Sequence, residues 1–301
     1  MKIIAVKGIQ RITFTSWTFP GGELGVKLDA LDFSSQSYRC DPADHQTLIA
    51  WVQSAADIIE LALVKDALVR FAGVPVDLVL PYVPYARQDR VCDPGESFSI
   101  LVFADLIRAM GFRRITIFDP HSSVTEAALR PDKVYTQFDI INYNRWFNVR
   151  VMKNRSVILA PDAGAAKKLS KIAQFYERPL VIADKERDPA TGKILKTVVP
   201  LADFDGQDVV IIDDICDGGR TFIELAQVLR EKNIAKCIDR NVGKIILYVT
   251  HGIFSKGLHP LYAAGIDEIY TTDTFASNYN HDINTFNAVG FFILGDEPNA
   301  P

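Results

Sequence analysis

Cysteine is scarce and scattered. The four in 301 residues, Cys40, Cys92, Cys216 and Cys237, form no Cys-x-x-Cys pair, so neither a disulfide framework nor a thiolate zinc site is expected. A reducing, cytoplasmic setting fits. No apolar run approaches the roughly 18 residues of a membrane span. The opening MKIIAVKGIQR meets a charge at Lys7 after only four apolar residues, too few for a secretory signal, so a soluble protein is expected. Basic charge is not in excess either. The 33 Lys and Arg against 37 Asp and Glu leave −4, which argues against a general nucleic-acid binder, whose affinity rests on cations neutralising phosphates. Short repeats and low-complexity tracts are absent. What is present is ordinary globular composition, 48% apolar and 23% charged, enough for one large or two medium units with cores of their own.

Short runs rich in Val and Ile alternate with segments of helical period, the pattern of parallel α/β units. VDLVLPYV (76–83), a helix over 98–110 and RITIF (114–118) form one such unit. SVILAPD (156–162), a helix over 163–176 and PLVIAD (179–184) form a second. Lys185 to Asp205, charged and broken by Pro189, Gly192 and Pro200, reads as an exposed loop in its first half. The pattern resumes with DVVIID (208–213), a helix over 221–233 and KIILYVT (244–250). Tyr135 to Arg155 has no clear period, which places a domain boundary near 140.

The sharpest chemical signal is VVIIDDICDGGRT (209–221). Four apolar β-branched residues make a buried strand whose carboxyl end carries Asp213 and Asp214, and ligands of open parallel sheets bind just beyond such ends. Gly218 and Gly219 permit a tight turn whose N–H groups, at the start of the next helix, can surround an anion. Thr221 can cap that helix. A helix start with ordinary turn glycines is the plain alternative. Successive strand side chains face opposite ways, so both acids serve one ligand only if the chain leaves the strand there. A sugar diol on the carboxylates and a phosphate on the amides would suit such a site.

Three further clusters carry charge at useful places. In PYARQDR (84–90) cations flank Gln88 and Asp89 directly after a strand, and Arg87 can fork two phosphate oxygens as lysine cannot; a solvated loop is the alternative. His121 stands two residues beyond Asp119 at the end of RITIF, where such a histidine is more often structural. Lys185 and Arg187 alternate across Glu186 and face one pocket if the base of their loop is extended, although charge runs are mostly solvated.

The segment 209–221 resembles the 5-phosphoribosyl 1-diphosphate (PRPP) motif of type I phosphoribosyltransferases and of ribose-phosphate diphosphokinases. PYVPYARQDR (81–90) resembles the nucleotide-binding segment of the diphosphokinases and has no counterpart in simple phosphoribosyltransferases. FPGGE (19–23), DPH (119–121), APDAG (160–164), DKER (184–187), THGIFSKG (250–257) and IDEIYTTDT (266–274) follow in the diphosphokinase order. The resemblance implies an α/β fold of two tandem type I phosphoribosyltransferase-like domains, each a mainly parallel sheet flanked by helices: 1–140 on the ATP side and 141–301 on the ribose 5-phosphate side.

It also implies a reaction: the β,γ-diphosphoryl group of ATP passes to the 1-hydroxyl of ribose 5-phosphate, giving PRPP and AMP, with Mg²⁺ as cofactor. Arg87, Gln88, Asp89 and His121 would contact ATP, while Phe19 and Glu23 would reach the adenine of a neighbouring subunit. A homo-oligomer follows, at least a dimer, with a hexamer open and no nucleic acid or membrane as partner. Asp213 and Asp214 would orient the ribose hydroxyls, and Asp217, Gly218, Gly219, Arg220 and Thr221 would hold the 5-phosphate. His121 would bind Mg²⁺ and Asp162 would support a second metal position. Lys185 and Arg187 would be the catalytic cations of a closing loop, supplying charge once substrates are bound. The rivals are a salvage phosphoribosyltransferase that consumes PRPP and a catalytically silent nucleotide-binding regulatory subunit.

The departures are local. Gly21 stands where the family's FxDGE segment has Asp, and GGRT (218–221) stands where TAGT is common. SSVTEAAL follows DPH in a region that contributes to subunit contacts. Residues 275–301 lack the usual final helix pattern, and 31–45 diverge where ADP and phosphate regulators partly bind, so weakened or absent ADP allostery is expected.

Overall fold

The computed structural model describes residues 2–7, 10–29, 45–152, 155–187, 194–200, 204, 206–235, 243–275 and 283–294. The divergent segment 31–44 lies outside them, as do 276–282 and 295–301. The chain divides into two compact units, Met1–Tyr135 and Thr136–Pro301.

The first unit runs β1 (Lys2–Lys7), β2 (Gln10–Ile12), β3 (Phe14–Thr18), β4 (Leu24–Leu28), β5 (Gln46–Trp51), α1 (Ala55–Ala72), β6 (Val76–Leu80), α2 (Ser99–Ala109), β7 (Ile115–Phe118), α3 (Ser123–Leu129) and β8 (Lys133–Tyr135). Its sheet has the order β2-β1-β5-β6-β7-β8. The last four strands are parallel, and β1 joins antiparallel to β5 and β2. Alternation along the strands buries Leu48, Leu78 and Ile117 with α1 and α2 in one core, while Ile49 and Val79 are buried on the other face. Helix α1 starts at a reciprocal cap between Ser54 and Asp57 and stops at Gly73, whose φ of 66° is left-handed. A separate antiparallel hairpin, β3–β4, carries the FPGGE segment at its tip.

The second unit opens with three helical pieces, α4 (Gln137–Tyr143), α5 (Arg145–Phe147) and a π-helical turn Asn148–Met152. Then come β9 (Ser156–Ala160), α6 (Ala163–Tyr176), β10 (Leu180–Ile182), β11 (Asp184–Arg187), β12 (Ile194–Val198), β13 (Asp208–Cys216), α7 (Arg220–Ala235), β14 (Ile245–Gly252), α8 (His259–Ala263), β15 (Glu268–Thr272), β16 (Asn284–Phe286) and a second π-helical turn, Gly290–Leu294. Its sheet is wholly parallel, β10-β9-β13-β14-β15-β16. Val209 and Ile211 pack into a core with α7, while Val210 and Ile212 pack into another with α4 and α6. Both faces of β13 are therefore covered, as its unbroken apolar run requires. From β9 the chain crosses to β10 on one side and later returns to β13 on the other. The strand order thus reverses between β9 and β13, where open α/β sheets form their ligand crevice.

Three expectations are corrected. Within 135–155 the pieces Gln137–Tyr143 and Arg145–Met152 are helical: their apolar positions, including Ile141, Phe147, Val151 and Met152, enter the second unit's core, and the π-turn spacing breaks the 3.6-residue period that would have revealed them. Thr136 caps α4, so the division falls at 135/136, against the expected 140. The charged stretch after Asp184 is a two-stranded antiparallel ribbon, β11 with β12; residues 188–193 of that stretch lie outside the described residues.

Candidate active site

The acid pair sits near the end of β13. The strand continues to Cys216, so strict alternation would separate the two carboxylates. They meet nonetheless: the Asp214 N–H donates to Asp213 Oδ1 at 2.9 Å, and the side chains interact. Burial first, and then the charge of Asp214, push the Asp213 carboxyl well above the usual carboxylate range; the hydrogen bond from the Asp214 N–H opposes this, and the charge of Asp162 adds to it. Asp162 lies just past β9, on the other side of the crevice. It is the N-cap of α6, with Oδ1 accepting from Ala165 N–H at 3.0 Å. From the same helix Lys168 Nζ approaches Asp214 Oδ2 at 3.7 Å.

After the acids comes the expected anion loop. Gly219 has φ of 77°, a left-handed backbone that favours glycine, and a Cβ there would crowd Leu261 Cδ2 at 3.0 Å. At Gly218 the nearest neighbour of such a carbon is Lys256 Cγ at 3.9 Å, which places the stem of Lys256 beside the loop. Helix α7 begins at Arg220, so Thr221 lies within its first turn and is not the cap. The Arg220 guanidinium is exposed and donates to Glu224 Oε1 at 2.8 Å. Asp217 is half-buried at the mouth of the same turn. The Cys216 carbonyl accepts from the Ile253 and Phe254 N–H groups, each at 2.9 Å, tying the segment after β14 to the end of β13.

In the first unit PYARQDR follows β6 and DPH follows β7, both at carboxyl ends of parallel strands. Tyr85 (φ 62°) and buried Asp119 (φ 33°) hold left-handed backbone without being glycine, strain of a kind that clusters at functional sites. Arg87 and Gln88 are exposed. Asp89 is buried and taken by Arg90, which donates from Nε at 2.8 Å and from Nη2 at 3.4 Å. That bond holds the Asp89 carboxyl below its usual range against the effect of burial, with Ser122 and His121 adding smaller effects. The structure therefore brings Asp89 and half-buried His121 together. Phe19 and Glu23 close the β3–β4 hairpin, Phe19 N–H donating to the Glu23 carbonyl at 2.8 Å. Phe19 and Trp17 are 47% and 41% exposed and meet edge to face at 5.7 Å. Gly21 leaves room that the Glu23 carboxylate enters, with Oε2 only 2.6 Å from where a Cβ would stand.

Lys185 and Arg187 lie on β11, paired in backbone register with Thr197 and Ile194, and a bulge falls between Glu186 and Arg187. Their strand is extended, as a ribbon base requires. Sequence reasoning missed Lys168 and also Gln137, whose side-chain amide donates to the Asp213 carbonyl at 2.7 Å; a Thr-x-x-Asp cap signature at 136–139 was the available signal for the helix that carries Gln137.

Among the described residues no group of three or more His, Cys, Asp or Glu is arranged to hold a metal ion, and no helix is long and apolar enough to cross a membrane. The donor chemistry does fit a hard divalent cation. Asp213 and Asp214 crowd negative charge together, Asp162 adds to it, and Mg²⁺ binds through one or two carboxylates completed by water and phosphate oxygens.

Comparison with known proteins follows the same division. Residues 2–111 match the family model described as the N-terminal domain of ribose phosphate pyrophosphokinase, and residues 137–283 match the phosphoribosyl transferase domain. Among curated proteins, a ribose-phosphate pyrophosphokinase of Campylobacter jejuni is 28% identical, over 85% of this chain and 77% of the relative. One from Sulfolobus acidocaldarius is 28% identical over 72% of this chain and 71% of its own. The crystal structure of phosphoribosylpyrophosphate synthetase from Mycobacterium smegmatis superposes with a TM-score of 0.72 at 23% identity, covering 91% of this chain and 85% of that one; this likeness shows the fold.

Proposed function

The chain belongs to the ribose-phosphate pyrophosphokinase family and is a diphosphotransferase that makes PRPP; we propose that ATP is its donor and ribose 5-phosphate its acceptor, with AMP released. The single observation that carries the sugar assignment is the paired acids Asp213 and Asp214 in the β9/β13 crevice, followed at once by the Gly219 turn and the start of α7. The two carboxylates accept hydrogen bonds from adjacent ribose hydroxyls. Successive N–H groups from Asp217 to Thr221 surround the 5-phosphate. Arg220 and Lys256 stand at the rim of that loop and add positive charge.

On the first unit Arg87, Gln88 and His121 hold the triphosphate. Asp89 fixes Arg90 and supports His121 rather than meeting the nucleotide itself. Phe19, exposed beside Trp17, offers a flat apolar face to an adenine from a neighbouring copy, which makes the working form at least a dimer. His121 would hold Mg²⁺ at one position and Asp162 would support a second, where the ion would neutralise charge on the phosphates. Orientation of two bound substrates is worth roughly 7–11 kcal/mol of barrier. Lys185 and Arg187 then stabilise charge growing on the transferring diphosphoryl group and the leaving AMP oxygen. No general base is needed early when the transition state is loose.

The test is AMP release from ATP. Formation of AMP dependent on ribose 5-phosphate and Mg²⁺, lost by about 10³-fold in Lys185→Ala, is the expected result. PRPP consumed together with a nucleobase, and no AMP from ATP, would replace this reading with a salvage transferase.

A further inference from the structure

Behind the acid pair lies a buried hydrogen-bonded chain that joins Gln137 to threonines and a histidine of the 250–257 and 266–274 segments. Gln137, 3% exposed, is the first residue of α4. Its place is fixed by a reciprocal cap: Thr136 Oγ1 accepts from the Asp139 N–H at 3.3 Å, and the Asp139 carboxylate accepts from the Thr136 N–H at 2.9 Å. From there the Gln137 amide donates to the main-chain carbonyl of Asp213 at 2.7 Å, with Thr250 Oγ1 at 3.5 Å. Beyond it, the Thr250 carbonyl accepts from Thr272 Oγ1 at 2.8 Å and from Thr274 Oγ1 at 2.9 Å. Thr274 Oγ1 in turn stands 2.8 Å from His251 Nδ1. Thr250, His251, Thr272 and Thr274 are all buried.

A buried amide is costly unless paired, and the other inward positions of α4, Ile140 and Ile141, are apolar. Gln137 therefore meets a specific need. Strand β13 is paired with β9 only as far as Ile211, so the segment that carries the acids keeps a strand neighbour, β14, on one side alone. Gln137 clamps the main chain just where the ladder has thinned, bridging the ends of β13 and β14. We propose that Gln137 is a positioning residue for the sugar site: by holding the Asp213 carbonyl it fixes the angle at which the Asp213 and Asp214 carboxylates meet a ribose diol. This rests on the reading of those acids as the sugar ligands.

Two variants test it by steady-state AMP release. Gln137→Met keeps the length of the side chain and removes the donor. Gln137→Glu keeps its shape and, when ionised, sets negative charge against the carbonyl. KM for ribose 5-phosphate is expected to rise about tenfold in Gln137→Met and further in Gln137→Glu, while KM for ATP stays unchanged. That graded order with a flat ATP response is not the signature of a general loss of folded protein. Wild-type KM for ribose 5-phosphate in either folded variant, or an equal rise for both substrates, overturns the proposal. If one variant does not fold, as judged by circular dichroism, the other decides. Failure of the wild type to form AMP would instead remove the sugar-site reading, and this proposal with it.

Discussion

The Asp214 N–H donates to the carboxylate of its own neighbour, Asp213, at 2.9 Å. The first acid is thereby folded back along the strand onto the second, and a sheet geometry that should part them brings them together. The cost is electrostatic. Asp213 is half-buried beside buried Asp214, and its carboxyl keeps its proton well above the usual range.

Replacement of that acid should therefore stabilise the fold while abolishing turnover. A carboxyl whose pKa is raised on folding binds more protons folded than unfolded, so stability falls as pH rises from the unfolded value through the folded one. Asp213→Asn removes this penalty and keeps an oxygen to accept from the Asp214 N–H. Its thermal midpoint should match the wild type near pH ~4 and exceed it increasingly at higher pH, by about 2–4 °C for each kcal/mol of penalty removed. Calorimetry across pH checks this; an advantage that shrinks as pH rises would contradict it.

The cap that Asp162 provides and the metal role proposed for it can be separated by substitution. Asp162→Ala loses the cap on Ala165 N–H and should cost about 1 kcal/mol. Asp162→Asn keeps the cap but loses the charge, so its melting temperature should stay near wild type while the Mg²⁺ concentration for half-maximal activity rises. Urea unfolding and a Mg²⁺ titration give the two readings independently.

Arg90 is paired with Asp89, and the proposed function gives Arg87 the fork on the nucleotide phosphates. Arg87→Lys keeps the charge and loses the planar pair of donors. KM for ATP should rise about tenfold with KM for ribose 5-phosphate unchanged, read from initial rates.

On the β3–β4 hairpin the Trp17 indole lies against Gly25, its cross-strand partner, where any Cβ would run into the ring. Gly25→Ala should push the indole away and disturb the Phe19 contact. Of the other two tryptophans Trp51 is buried and Trp146 is half-buried against the second unit's core, so a change in emission on this substitution reports chiefly on Trp17, and KM for ATP should rise with it.

The parallel core was legible because β13 runs apolar without a break from Val209 to Ile212, and both Val209 and Val210 find a core. The acids beyond Ile212 were legible for the same reason, since a charged pair ending such a run stands where ligands bind. Other parts were not. The Asn148–Met152 turn has a spacing that neither helical nor strand periodicity matches. The ribbon β11–β12 is hidden by charge, which reads as loop. Lys168 and Gln137 reach the site from helices whose sequences announce only packing, and the pairing of Arg90 with Asp89 depends on burial that a string of charges does not disclose.

The left-handed residue of the anion loop stands at 219, and position 220 is already right-handed helix. In the common TAGT version of this loop an alanine would fall at 219 and the glycine at 220. TAGT would thus put its alanine at the left-handed position of this turn and its glycine inside the helix. Grafting TAGT here would set a methyl group against Leu261 and leave a glycine where none is needed.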